Sequence, residues 1–406
     1  MAKTATYKSA MRILKTLEYL RNLPEPEAGE SSVPVKPADL ARYLTAECEE
    51  TSDKTAKEIL NAILDSDTGY CLDWEQSSKG RNHYRFKRTF SLEQLSLLSS
   101  IISSSMFLDE EQIKELLYQL KALTSDENAS ALASADHFLR PRMMNDNALN
   151  NLRIIHEAIN TRRALRFLPC QMDTAKHLYY DKPIRGKKNK VQRVTLIGNE
   201  KQITEEDNPK LDSNPYIVCF PYALAWDNSR CYLVGGITDM KSVYQQNDNT
   251  ANQNDKIHLW NFRVDRMFEL DFYDKVEYRV PLSTPFYTPG RESSKNTPIS
   301  NLFLVEPYMH SMFKMFTDSH IVQVTLRFKH TLTRVIVEKF GFDVDIIDEG
   351  GRYAKATVTV QVSKPFFGWL AGFSPDDLQL IAPQDVVDNY TKHLNEICNH
   401  YHSEAN

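Results

Sequence analysis

The sequence predicts an α+β multidomain chain: a winged helix-turn-helix, a helical connector, a small SH3-like or Sm-like β-barrel and a C-terminal ferredoxin-like α+β domain. Three observations predict it. Short amphipathic helices followed by a basic hairpin occupy residues 10–88. Short strands with tight turns follow a single helix over residues 152–266. From residue 321 onward the pattern runs strand, helix, strand, strand, helix, strand, and closes on a helical tail.

Length and composition frame that reading. At 406 residues the chain exceeds one ordinary core, so about two to four domains are expected. Its charged fraction of 25% and hydrophobic fraction of 41% belong to a folded chain. No apolar run approaches the roughly 20 residues of a membrane span. Residues Met1 to Lys8 lack an apolar signal-peptide core, so a cytoplasmic location without a membrane partner is expected. Cys48, Cys71, Cys170, Cys219, Cys231 and Cys398 are scattered, with no C-x-x-C pair. They read as small buried hydrophobes rather than as a zinc site or a disulfide framework.

The net charge of −5 gives no global attraction to nucleic acid, so any such partner needs locally concentrated cations. Two runs qualify: Lys79 to Arg88, and Lys182 to Arg193 with Arg185, Lys187, Lys188 and Lys190 between them. Neither contains an acid.

Taken in order, Ile13, Leu14, Leu17 and Leu20 have helical spacing within residues 10–22, and the segment Pro24 to Pro34 reads as a loop. Pro37 opens a short helix over 38–44, with Leu40, Tyr43 and Leu44 on its apolar face. Ser52 is a suitable N-cap for a third helix. There Ala56, Ile59, Leu60 and Ile63 make one stripe, and Lys54, Lys57, Glu58 and Asn61 point the other way. Residues 69–74 and 83–87 alternate like two strands of a hairpin. Three helices and a basic-tipped hairpin place Ser52, Lys54, Thr55, Lys57 and Asn61 as candidate duplex contacts in a major groove. Lys79, Arg81, Arg85, Lys87 and Arg88 are the candidate phosphate contacts of the wing. A solvated helix face is the plain alternative for the lysines.

Residues 91–123 are helical, with stripes at Leu92, Leu95, Leu98, Ile101 and Ile102, and at Ile113, Leu116, Leu117, Leu120 and Leu123. A dimer contact and intrachain packing explain them equally well. A helix from Leu152 feeds a strand over 164–168, and a polar, insertion-like stretch covers about 173–214. Strands then follow over 216–226, 230–235 and 258–266, with a turn at Asp227 to Ser229. Residues 276–318 read as irregular and proline-rich. The predicted domains are 1–90, 91–150, 151–275, a linker 276–318, and 319–406.

The stretch Pro221 to Gly235, with Tyr222, Trp226, Arg230 and Tyr232, resembles the signature hairpin of the bacterial WYL-domain transcriptional regulators. Phe262 to Met267 looks like the strand that follows it in that family, and Phe366 to Leu370 with Pro383 resembles the family's C-terminal WCX-type extension. Lys54 to Leu60 is similar to its recognition helix. Directly before Tyr232 and Leu233, where the family carries the tryptophan of its name, stands Cys231. The resemblance covers nearly the whole chain in the family's domain order. It implies a homodimer binding a double-stranded DNA operator, with a barrel that senses a nucleotide or oligonucleotide effector. Carried over by position, Arg263 and Arg266 grip an anion, and Tyr222, Trp226, Arg230 and Tyr232 line the ligand. Trp226 and Tyr232 equally suit a barrel core, and Arg263 an ion pair near Asp265.

No G-x-S-x-G, H-E-x-x-H or P-loop is present, so no catalytic residue, cofactor or metal is expected. The competing function is a single-stranded RNA- or DNA-binding accessory protein using the Lys182 to Arg193 run.

Overall fold

A computed structural model describes residues 5–24, 26, 32–65, 72–76, 82–132, 147–184, 190–197, 200–207, 216–237, 257–289, 299–317 and 320–403. The chain is α+β, with four antiparallel sheets among the described residues, and divides into two compact units, Met1–Arg142 and Met143–Asn406. Among the described residues no helix is long and apolar enough to cross a membrane.

The first unit opens with α1 (Ala5–Arg21), β1 (Val33–Val35), α2 (Pro37–Glu47) and α3 (Asp53–Asp65), followed by β2 (Leu72–Gln76) and β3 (Asn82–Phe86). β3 lies between β1 and β2. One core unites these elements: Leu20, Leu40, Leu44, Ala56, Leu60 and Ile63 from the helices meet Val33, Val35, Tyr84 and Phe86 from the sheet. Each such aliphatic contributes about 1.5–3 kcal/mol by leaving water. The strand at Val33 was hidden in the expected loop, because three residues carry too little alternation to be recognised. On α1 the inward positions are Thr16 and Leu20, whereas Ile13 and Leu14 are exposed.

α4 (Leu92–Ser104), α5 (Glu110–Lys121) and α6 (Asp126–Leu132) complete this unit. Ser91 and Asp109 each form a capping box, with Gln94 and Gln112 reaching back. On α4 the buried residues are Leu95, Ser99 and Ser103, while Leu97 and Ile101 are 61% and 55% exposed. Of the expected stripe, Leu95 is buried and Leu92, Leu98 and Ile102 are half-buried, and only Ile101 lies on the exposed side.

The second unit starts with α7 (Ala148–Thr161) and β4 (Leu165–Pro169). The region expected to be an insertion folds into its own sheet, β5 (Gln171–Met172), β6 (Leu178–Pro183), β7 (Lys190–Ile197) and β8 (Glu200–Asp207), paired in that order. It packs through Leu178, Tyr180 and Val194 onto Leu168, Cys170 and Phe268, and the Tyr180 ring stacks on Phe268 at 4.8 Å. The Glu269 carboxylate, on a residue with φ of 50°, accepts Lys182 at 2.6 Å and the Tyr216 hydroxyl.

β9 (Ile217–Asp227), β10 (Arg230–Ile237), β11 (His258–Arg263) and β12 (Met267–Phe272) join β4 in a five-stranded sheet ordered β11-β10-β9-β4-β12. Counted along the chain, that order is fourth, third, second, first, fifth. Asn228 and Ser229, at φ of 48° and 59°, make the primed turn that fits the twist of the β9–β10 hairpin. The strand expected over 258–266 stops at Arg263, and a 3-10 turn, Val264–Arg266, leads into β12.

Within the expected irregular stretch lies a short helix, α8 (Val305–Ser311). Its Pro307 reads as a breaker in sequence, yet it sits in the first turn, where no amide is needed. The closing region contains β13 (Ile321–Lys329), α9 (Thr333–Phe340), β14 (Ile346–Asp348), β15 (Tyr353–Gln361), α10 (Lys364–Ala371), β16 (Leu378–Ala382) and α11 (Gln384–Ser403). Its sheet order is β14-β15-β13-β16. Val324, Leu326, Phe328, Val358, Val360 and Phe366 centre its core. Cys170, Cys219 and Cys231 are buried as expected, Cys398 is exposed, and Cys71 lies outside the described residues.

Candidate functional site

Two groups of side chains carry the chemistry, one in each unit. On α3 the inward stripe Ala56, Leu60 and Ile63 fixes the helix roll, and Lys54, Lys57 and Glu58 are exposed on the opposite side. Among the described residues neither lysine is ion-paired, with Glu58 or with any other acid. Ser52 caps the helix: its hydroxyl accepts the Thr55 amide at 3.2 Å and lies 3.1 Å from the Thr55 hydroxyl. These two residues thus spend polar atoms on starting the helix.

Three of the expected contacts turn inward. Asn61 is half-buried, and its Oδ1 accepts the hydroxyl of Tyr84, a buried β3 residue, at 2.7 Å. Arg85 donates to the Ser32 hydroxyl at 2.7 Å and to the Ser32 carbonyl at 2.9 Å. Arg88 donates to the Arg21 carbonyl at 2.9 Å and to the Leu23 carbonyl, which ties the end of β3 to the end of α1. Their donors serve the scaffold, in the way orphan carbonyls at a helix end are usually satisfied. Lys87 is exposed, and Lys79 and Arg81 lie outside the described residues. Among the described residues, Lys54, Lys57 and Lys87 are the exposed cations of this group.

The second group surrounds the turn Val264–Arg266. Arg263 grips Asp265 through Nε at 3.0 Å and through Nη2, and the pair is 11% and 1% exposed. In the sheet register Arg263 faces Tyr232 across β10. The turn is pinned twice more. The Asn151 side-chain amide of α7 donates to the carbonyls of Val264 at 3.2 Å and Met267 at 2.9 Å, and the Cys170 amide donates to the Arg266 carbonyl at 2.9 Å. Burial, then the neighbouring Arg263 charge, depresses the affinity of Arg266 for its proton, and Arg230 adds to this. The Nε of Arg230 is buried without a hydrogen-bond partner among the described residues. Arg263 is thus paired with Asp265, and the charges of Arg263, Arg230 and Asp265 all act on Arg266; guanidiniums gathered in this way suit phosphate or carboxylate oxygens. Burial pushes the Cys170 and Cys231 thiols up to about 12, so neither is a thiolate at neutral pH.

The expected aromatic wall is divided. Trp226 is 55% exposed and Tyr232 half-buried, so both present ring area. Tyr222 does not. Its ring is fully buried, stacked on Phe303 at 5.9 Å and edge-on to Tyr278, and its hydroxyl donates to the Arg279 carbonyl. It is a core residue, and no ligand reaches its face. Asn151 was missed in the sequence. The available signal was one amide in an otherwise apolar stripe with Ala148, Ile154, Ile155 and Ala158.

The basic run from Lys182 to Arg193 changes character on folding. Lys182 pairs with Glu269 at 2.6 Å, Lys190 with Glu205 at 3.2 Å, and Arg193 with Asp181 at 2.8 Å and with Glu206. The acids of β8 lie beside a stretch that has none of its own. Arg185, Lys187 and Lys188 lie outside the described residues.

No family model matches the sequence, and no curated protein matches it. Among solved structures the chain is similar to proteasome accessory factor B/C (PafBC) of Arthrobacter aurescens, with 14% identity and a TM-score of 0.25 over 96% of this chain and 54% of that one. It is similar also to a CRISPR Cas-related protein, with 12% identity and a TM-score of 0.31 over 95% of this chain and 98% of that one. The chain spans about half the length of the PafBC chain. At these TM-scores neither likeness carries weight for fold or function.

Proposed function

We propose that the chain is a bacterial DNA-binding transcriptional regulator of the WYL-domain kind, a cytoplasmic homodimer that binds a double-stranded operator and responds to an anionic, nucleotide-like effector. In this reading residues 1–90 form a winged helix-turn-helix, 91–150 a helical connector, 151–275 an SH3-like WYL barrel, 276–318 a linker and 319–406 a ferredoxin-like WCX-type domain. The strand orders of the five-stranded sheet and of the β14-β15-β13-β16 sheet support the barrel and the ferredoxin-like assignments.

The single observation that carries the reading is α3. Its apolar stripe is buried, its lysine side is exposed, and a hairpin of the same core follows it. An exposed recognition helix reads base edges, and flanking cations touch phosphate. The Arg263–Asp265 pair with Arg266 and Arg230 close to it, and the exposed ring of Trp226 on the neighbouring strand β9, support effector binding. A gel shift against the duplex upstream of the chain's own coding sequence tests the assignment. Wild type binds, and Lys54→Ala with Lys57→Ala binds about tenfold or more weakly; equal shifts by both proteins overturn it.

The competing reading, a single-strand-binding accessory protein, needs a free cationic strip. Pairing of Lys182, Lys190 and Arg193 with acids weighs against it.

A further inference from the structure

We infer that residues Tyr308 to Phe316 form a tether through which β11, the strand bearing Arg263, is fixed to the C-terminal sheet, with Asn261 as its joint. Asn261 and Arg263 are two residues apart and so project from the same face of β11. Asn261 uses both ends of its amide on the tether. Its Nδ2 donates to the Met315 carbonyl and meets the Met312 sulfur, each at 3.1 Å, and its Oδ1 accepts the Tyr308 hydroxyl at 3.0 Å.

The far side of the tether is anchored as firmly. The fully buried Ser311 hydroxyl donates to the Tyr308 carbonyl at 2.7 Å and accepts the side-chain amide of Gln361, a buried β15 residue, at 3.1 Å. Lys339 of α9 donates to the Met312 carbonyl, and Phe313 belongs to the C-terminal core beside Phe366. A continuous series of polar contacts thus runs from the middle of β11 to the end of β15.

Backbone conformation adds an independent observation. Phe313 and Phe316 close a tight turn, whose Phe316 amide donates to the Phe313 carbonyl at 3.2 Å. Its central residues, Lys314 and Met315, have φ of 53° and 57°. Such primed turns favour Asn-Gly, and a lysine and a methionine adopt this conformation against their preference. The Asn261 amide on the Met315 carbonyl is the contact that holds the turn to β11. Because the tether is bonded at both ends, displacement of Arg263 is passed to β15 instead of being absorbed in a loose linker. Its regulatory meaning rests on the reading of Arg263 and its neighbours as an anion site.

Hydrogen exchange on the full chain tests this, with Asn261→Leu and Tyr308→Phe as variants. Asn261→Leu is expected to speed exchange at 305–316 and near Gln361 by roughly tenfold or more, with α1 to α3 unchanged. Tyr308→Phe keeps its ring packed on Phe286 and Phe303 and is expected to give a smaller change in the same places; should Asn261→Leu fail to fold, this variant decides. Acceleration confined to β11 in either variant overturns the tether. With inorganic pyrophosphate as probe, wild type is expected to slow at Val264–Met267 and also at 305–316, and Asn261→Leu only at the former. Transmission that persists in Asn261→Leu overturns the coupling. Pyrophosphate that protects neither segment in wild type overturns the anion site, while the probe-free comparison still decides the tether.

Discussion

Oδ1 of Asn61 accepts the hydroxyl of Tyr84 at 2.7 Å, and this one bond ties the C-terminal half of α3 to the central strand of its sheet. Asn61 therefore helps to orient the helix. Tyr84→Phe keeps the buried ring and loses the bond, at a cost of about 1 kcal/mol in urea unfolding. Asn61→Ala removes the acceptor of a buried hydroxyl and costs about 1–3 kcal/mol. Binding by Asn61→Ala should keep wild-type sequence preference; altered preference without loss of stability would return Asn61 to the groove.

Gly236 sits where the five-stranded sheet has no room for a side chain. A Cβ there would lie 2.2 Å from the Tyr222 hydroxyl and 2.5 Å from Ile257 Cγ2. Gly236→Ala should cost about 3 kcal/mol or prevent folding of the second unit. Adding Tyr222→Phe, which removes the nearest atom, should recover part of the loss. Calorimetry of the two proteins checks this, and an undisturbed Gly236→Ala transition would show that Tyr222 is not locked in the core.

Asp265 is the buried counter-charge of an arginine group. Asp265→Asn leaves Arg263 without its buried partner and Arg266 without an opposing charge, and should destabilise the fold by about 3–5 kcal/mol. An anion that replaces the carboxylate raises stability by mass action. Added pyrophosphate should therefore raise the melting temperature of Asp265→Asn more than that of wild type. An equal rise in both would mean that the arginines do not share a common anion position.

Much of this was legible because local periodicity and burial agree. The stripe Ala56, Leu60 and Ile63 and the Ser52 cap of α3, the turn at Asn228 and Ser229, and every element after Ile321 follow from spacing and turn chemistry. The failures have physical causes. Arg85 and Arg88 look like wing cations in sequence, but their acceptors, the carbonyls of Ser32, Arg21 and Leu23, lie more than 50 residues earlier. The β6–β7–β8 sheet was read as a polar insertion because its outer strand is exposed throughout and shows no apolar alternation. The Lys182 to Arg193 run looked cationic because its acids lie outside it: Asp181 just before it, Glu205 and Glu206 on β8, and Glu269 on β12. Tyr222 shows the same limit. An aromatic beside a ligand motif and an aromatic in the core are the same letter, and only its packing against Phe303 and Tyr278 separates them.

Lys339 sets a pH dependence in the C-terminal region. Burial lowers its pKa from 10.5 to about 8, with Asp227 opposing. Between those values the unfolded chain keeps a proton that the folded chain has released, so stability rises with pH across that window. Relative to Lys339→Met, wild type should gain about 2 kcal/mol from pH 8 to 10.5, with a constant difference below pH 8. Urea titrations at several pH values measure this; a flat difference throughout would place the ammonium in water.

The most direct measurement is the salt dependence of duplex binding, by fluorescence anisotropy on DNA from the upstream region, for wild type and for Lys54→Ala with Lys57→Ala. The α3 account predicts that the variant loses about tenfold or more in affinity, that its preference over random duplex disappears, and that its log–log salt slope falls by about 0.9 for each phosphate contact removed. Affinity, preference and slope all unchanged in the variant would contradict it.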